Sequence, residues 1–220
     1  MIAKYVALIC ILFITQSCFH TKTSSTLPET KRTIGVCVLK DTAGVISDSA
    51  VNSAISEVFE EYKYNVGISF EVLDRSSYSG IINPDLVSAR ISNGRPYCAL
   101  STNIVILFTN QESMRVRVRK RLFRKTITTS VEYFGEAYQN RGLIVIYHFQ
   151  QNIGMINMSG KPLLPAILKH EMGHLFGLEH SKNTESFMYA IANSSFGKWT
   201  PSIIKKIEKN RWINWRHESF

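Results

Sequence analysis

Three of the chain's six histidines fall within one eleven-residue stretch, His170-Glu-Met-Gly-His-Leu-Phe-Gly-Leu-Glu-His180. The spacing dictates geometry. "LLPAILKHEMGHLFG" reads as a helix opened by Pro162 or Pro165. His170 and His174 are four apart, so they lie one above the other on one helical face. Two imidazoles so placed can hold one Zn²⁺. Glu171 is rotated about 100° from His170 by the helical period. Its carboxylate can therefore reach a water on the metal rather than the metal itself. Gly177 accepts the left-handed conformation that ends a helix, and the turn returns His180 as a third ligand. Three protein ligands leave a fourth position open for water, the pattern of a catalytic zinc rather than a structural one. Five fixed positions match by chance in a chain of this composition with odds on the order of one in 100,000.

The rest of the chain must supply a frame for that helix. With 220 residues, 45% of them hydrophobic, it is long enough for one good-sized core. No period of 20 to 50 residues repeats, which excludes a solenoid. "TIGVCVLK" (33–40), "GISFEVLD" (67–74), "NIVILFTN" (103–110) and "GLIVIYHF" (142–149) read as strands. Val51, Ala54, Ile55, Val58, Phe59 and Tyr62 recur at helical spacing, with Asp48 or Ser49 as the cap. Thr200-Pro201 opens a last helix with Ile203, Ile204 and Ile207 as its apolar stripe and Lys205, Lys206 and Lys209 as its wet face. The expectation is an α/β fold over 33–220: a mixed twisted sheet, two long helices, and a small C-terminal subdomain with a terminal helix.

HExxHxxGxxH is the signature of the metzincin metallopeptidases, whose zincin-like fold and chemistry this chain then resembles. Met188, eight residues after His180 in "HSKNTESFMY", matches the family's turn methionine beneath the zinc. With Ser181 before it and Tyr189 after it, the segment looks most like the matrixin branch. Archaemetzincins differ in placing a cysteine where Ser181 stands. The resemblance implies one catalytic Zn²⁺ held by His170, His174 and His180, with Glu171 as general base, and a peptide or protein as substrate. It places the substrate along an edge strand for which "EYFGEAYQ" (132–139) is the candidate, and makes Tyr189 to Asn193 the wall of a specificity pocket. Two departures stand out. Ala190 follows where matrixins have proline. "YHFQQNIGMINMSGK" (147–161) lacks the His- and Asp-rich pattern of a second zinc, so neither a structural zinc nor a calcium is carried over. A different class remains open: a zinc-binding surface or interaction protein on the same fold, without catalysis. A monomer is the expected state.

The N-terminus reads as targeting rather than fold. Lys4 precedes a ten-residue apolar run, "YVALICILFI", too short to span a bilayer. Ser17-Cys18 follows, resembling a bacterial lipoprotein signal, with residues 1–17 removed and Cys18 carrying lipid. A plain signal peptide, giving a secreted soluble protein, is the alternative. Residues 18–32 are rich in Ser and Thr and read as a tether. Export puts Cys37 and Cys98 in an oxidising compartment as an even pair; one disulfide or two buried thiols both fit. The net charge of +9 favours anionic surfaces, yet no zinc-finger or RNP-type signature supports nucleic acid as partner. "RVRVRKRLFRK" (115–125) has seven basic residues in eleven. It suits a solvated rim, or attraction to an anionic membrane or an acidic substrate. Cys18→Ala should release the protein from membranes or leave an unprocessed precursor; unchanged fractionation and acyl labelling would remove the lipoprotein reading.

Overall fold

The computed structural model describes residues 31–43, 46–79, 98, 101–112, 114–122, 125–148, 163–189 and 197–215. Cys18, the residues before it and the tether as far as residue 30 lie outside these, as do Pro162 and residues 149–161. Among the described residues no helix is long and apolar enough to cross a membrane.

The frame is a five-stranded sheet. Its strands are β1 (Arg32–Asp41), β2 (Ile68–Tyr78), β3 (Ile104–Glu112), β6 (Gly135–Tyr138) and β7 (Leu143–His148), in the order β2-β1-β3-β7-β6. All neighbours are parallel except β6, which runs antiparallel to β7 and forms an edge. Unbroken apolar runs such as Val36-Cys37-Val38-Leu39 mark strands buried on both faces. Ile34, Val36, Val38, Ile104, Ile106, Phe108, Ile144 and Ile146 meet the helices. Cys37, Leu39, Val105, Leu107, Val145 and Tyr147 form a second core on the opposite face.

The first helix, α1 (Asp48–Val66), joins β1 to β2 and buries Val51, Ala54, Ile55, Val58, Phe59 and Tyr62. Its cap is Ser47, not Asp48 or Ser49. The Ser47 hydroxyl accepts from the Ala50 N–H, and Asp48, one position inside, pairs with Lys40 at 2.6 Å. Gly67, expected to open the second strand, instead ends α1 with φ 66° and donates its N–H to the Lys63 carbonyl. The second helix, α2 (Leu163–Leu175), carries the histidine motif, with Pro165 at its third position. The last, α3 (Pro201–Lys209), is capped by Thr200 with Pro201 in its first turn; Ile203 and Ile207 are buried and Ile204 partly so.

A two-stranded element was only half legible in sequence: the alternation at 115–119 suits a strand with one charged face, while its partner strand gives no such signal. β4 (Met114–Leu122) and β5 (Lys125–Tyr133) form an antiparallel hairpin between β3 and β6. The basic run is therefore one arm of a ribbon. Its root lies at the C-terminal end of β3, and only Phe134 separates β5 from β6. Lys31 lies at the opposite end of the sheet, where the Arg32 guanidinium donates to the Arg211 carbonyl and, at 2.9 Å, to that of Ile213. The nine residue steps from Lys31 to Lys40 along β1 put about 30 Å between the two poles.

Cys37 on β1 is bridged to Cys98, 61 positions away, with Cα atoms 5.7 Å apart. Of the two states the sequence left open, the disulfide is the one present. Closing a loop of that length contributes roughly 4 kcal/mol as an upper figure in the loop-entropy model. Thiol titration of the unfolded, unreduced protein should find neither cysteine, and reduction should lower the urea midpoint. Two titratable thiols at 37 and 98 in protein from its native compartment would contradict the bridge.

Candidate active site

The end of α2 shapes the site. Gly177 takes φ 75°. Its N–H bonds the His174 carbonyl at 2.9 Å, and the Leu178 N–H bonds the Gly173 carbonyl at 3.1 Å. This pair of bonds closes a helix on a left-handed residue. The last carbonyls of the helix are satisfied from the C-terminal segment. Asn210 donates its amide to Phe176 and Trp215 its indole N–H to Leu175. So anchored, the chain reverses and brings His180 back onto His170 and His174.

The three imidazoles converge. His174 Nε2 is 3.2 Å from Nε2 of His170 and 3.2 Å from that of His180. Nitrogens sharing one tetrahedral zinc at 2.0–2.1 Å stand about 3.3–3.4 Å apart. The other ring nitrogens decide the chemistry. His170 Nδ1 is 2.8 Å from the Phe187 carbonyl and His174 Nδ1 2.7 Å from the Leu178 carbonyl. A carbonyl only accepts, so each Nδ1 carries the proton and each Nε2 of a neutral ring presents a lone pair. Burial pushes His170 down to about 4 and lowers His174 as well, which favours the neutral rings. Lone pairs facing each other at 3.2 Å repel unless a cation lies between them. The donor set therefore fits a divalent zinc, and it leaves room for the open fourth position of a catalytic site.

Glu171 is 7% exposed, and its side chain crosses the edge strand at Gly135. A Cβ at Gly135 would stand 2.7 Å from Glu171 Cγ and 3.0 Å from Oε1. The strand passes only because that position has no side chain. Burial, with the Glu136 carboxylate as a second cause, pushes Glu171 up to about 8; a dication beside it acts in the opposite direction. Glu136 is itself held by the hydroxyls of Tyr138, at 2.6 Å, and Tyr147.

Met188 packs its sulfur against Gly173, on the α2 turn between the first two histidines. The segment leading to it is tied by the Ser181 N–H to the Met188 carbonyl at 2.7 Å and by the Met188 N–H to Ser186 Oγ. Tyr189 bridges Ser181 and is partly exposed; residues 190–193, the rest of the expected pocket wall, lie outside the described residues. Phe187, whose carbonyl holds His170, is itself held. The Lys169 ammonium, 2% exposed, lies 5.5 Å from the Phe187 ring centre and donates to Glu61 Oε2 at 3.0 Å. Trp199 Nε1 donates to the same oxygen at 2.8 Å. Gly135, Lys169 and Glu61 were not legible in sequence, because each acts through a neighbour distant along the chain.

Comparison with known proteins agrees with this geometry. The family model described as Matrixin, of peptidase type M10, matches residues 105–201. Metalloproteinase-II from Bacteroides fragilis is similar over 81% of this chain at 14% identity, with a TM-score of 0.55. This chain spans about half of that one, 53%. An archaemetzincin from Methanopyrus kandleri covers 81% of this chain and 95% of its own at 13% identity and TM-score 0.49. A zinc-dependent peptidase from Methanocorpusculum labreanum covers 79% and 100% at 17% and 0.44. No curated protein matches by sequence. The chain has a zincin-like α/β fold, and the matrixin family model matches its stretch 105–201, which holds the three histidines.

Replacing any one of His170, His174 or His180 by alanine should weaken zinc binding by more than the 10–100-fold typical of losing an outer partner. Competition with a chromophoric chelator measures this directly. An unchanged affinity in any of the three variants would show that histidine not to be a ligand.

Proposed function

We propose that the protein is a zinc-dependent endopeptidase, exported and held at the bacterial cell envelope by lipid on Cys18. The observation that carries the catalytic part is Glu171, a buried carboxylate next to His170 in a cluster of three imidazoles whose Nε2 atoms converge, two of them held by backbone carbonyls in the tautomer with the lone pair on Nε2. His170, His174 and His180 would hold a zinc ion, which when bound would supply a Lewis acid and bring the pKa of a water toward about 7. Glu171 accepts the proton of the attacking water and passes it to the leaving amine. Its carboxylate is kept at the sheet edge by contact with Gly135. β6, the outermost strand of the sheet among the described residues, suits an extended peptide adding as a further strand, which would set the scissile bond beside Glu171.

A module that only binds zinc has no use for a buried carboxyl group at that position, since burying a polar group without a partner is destabilising. Glu171→Gln separates the two. It keeps size and most hydrogen bonding but cannot accept the water's proton. Zinc content by mass spectrometry should stay near one per chain, while hydrolysis of a library-selected peptide should fall by at least the typical 10²–10⁴-fold. Equal cleavage by wild type and variant would place the base elsewhere. Zinc without cleavage of any library peptide would favour the binding module.

A further inference from the structure

We infer that the β4–β5 hairpin is a recognition surface for an acidic, extended segment of the protein substrate; the inference rests on the peptidase reading and names its substrate class. The backbone register supports it. Arg115, Arg117, Arg119 and Arg121 pair with Glu132, Ser130, Thr128 and Thr126. Cross-strand partners share a face of a ribbon, and alternate residues along a strand do too. One face of the hairpin thus carries four arginines in file against three hydroxyl residues and one carboxylate, a formal excess of three positive charges. The other face carries Val116, Val118, Lys120 and Leu122 with Val131, Thr129, Ile127 and Lys125. The spacing of the arginines, about 6.8 Å or twice the antiparallel rise, is also that of alternate side chains in an extended peptide.

Topology favours a peptide over a membrane. The hairpin runs into the substrate edge: Phe134 alone separates Tyr133 from Gly135, and the Tyr147 N–H donates to the Phe134 carbonyl at 3.0 Å. Gly135 is the residue that touches Glu171. A peptide added along β6 therefore has the root of the arginine file beside it. Lys31, where the tether joins the domain, is at the other pole of the sheet.

Two measurements test this in the full chain in neutral detergent. In the first, Glu171→Gln protein is titrated with a fluorescein-labelled peptide bearing glutamate at every second position, and with its glutamine counterpart. The glutamate peptide should bind roughly 10–100-fold tighter, as expected for several exposed ion pairs acting together. The preference should fade in 1 M salt. It should vanish when all four arginines become serine and persist when they become lysine. The single change Arg117→Ser, with circular dichroism as control, serves if the fourfold serine variant unfolds. In the second, chains with intact Glu171 cleave peptides carrying the acidic tract on either side of a common cleavage sequence. The serine variant should raise KM for these with kcat unchanged, and leave the neutral peptide as it was. Equal binding of both labelled peptides, or a preference surviving in the serine variant, would overturn the inference. So would a serine variant that loses only binding to phosphatidylglycerol vesicles, which would make the file a membrane contact. Glutamate preference without any hydrolysis would instead sink the peptidase reading and uphold the acidic ligand.

Discussion

Two backbone carbonyls, those of Phe187 and Leu178, hold this site in its chemical state. Each can only accept, so each obliges the histidine it meets to carry its proton on Nδ1. The Nε2 lone pairs of His170 and His174 are then aimed at each other across 3.2 Å. Without a cation that arrangement is repulsive, and burial closes the escape of protonating the rings. The fold therefore invests packing in a geometry that is at rest only around a metal. Leu178 is in place because Gly177 turns the helix end. Phe187 is in place because the Lys169–Glu61–Trp199 cluster ties its ring to both long helices.

A second constraint is steric. The histidine-bearing helix and the edge strand approach so closely at Glu171 that a Cβ at position 135 would stand 2.7 Å from its Cγ, so any larger residue there must displace the carboxylate. This contact brings the carboxylate to the rim of the sheet, where an extended chain can add. It also means that the acid group and the strand that would receive substrate are positioned by one contact. Glu136, held by Tyr138 and Tyr147 hydroxyls, steadies that same short strand.

The two poles of the sheet gather different residues. The N-terminal ends of the parallel strands gather Arg32, the carbonyls of Arg211 and Ile213, and Trp215. The C-terminal ends gather Gly135, Glu171 and the hairpin root. The proposed tether before Lys31 would thus lie some 30 Å of strand away from the histidine cluster.

Much of this could be read from residues alone. The four-residue spacing of His170 and His174, the glycine at 177 and the return of His180 follow from helical period and from the one residue type that takes positive φ freely. The doubly apolar strands and the stripe of α1 follow from periodicity, because burial is what makes those patterns necessary. Caps were less legible: Ser47, Asp48 and Ser49 are all competent, and the choice fell to Ser47 once Lys40 engaged Asp48. The hairpin's second arm, "KTITTSVEY", is polar enough that nothing local distinguishes it from loop, and its partner arm supplies the ordering hydrogen bonds. Sequence by itself determined the histidine cluster, the helix that bears most of it and the layered α/β frame, since these rest on interactions within a few residues or on burial pattern. Only the tertiary structure decided the tautomers, the Cys37–Cys98 bridge, the glycine beneath Glu171 and the buried Lys169–Glu61 pair. Each of these depends on atoms that meet across long stretches of chain, and local preference carries no information about such meetings.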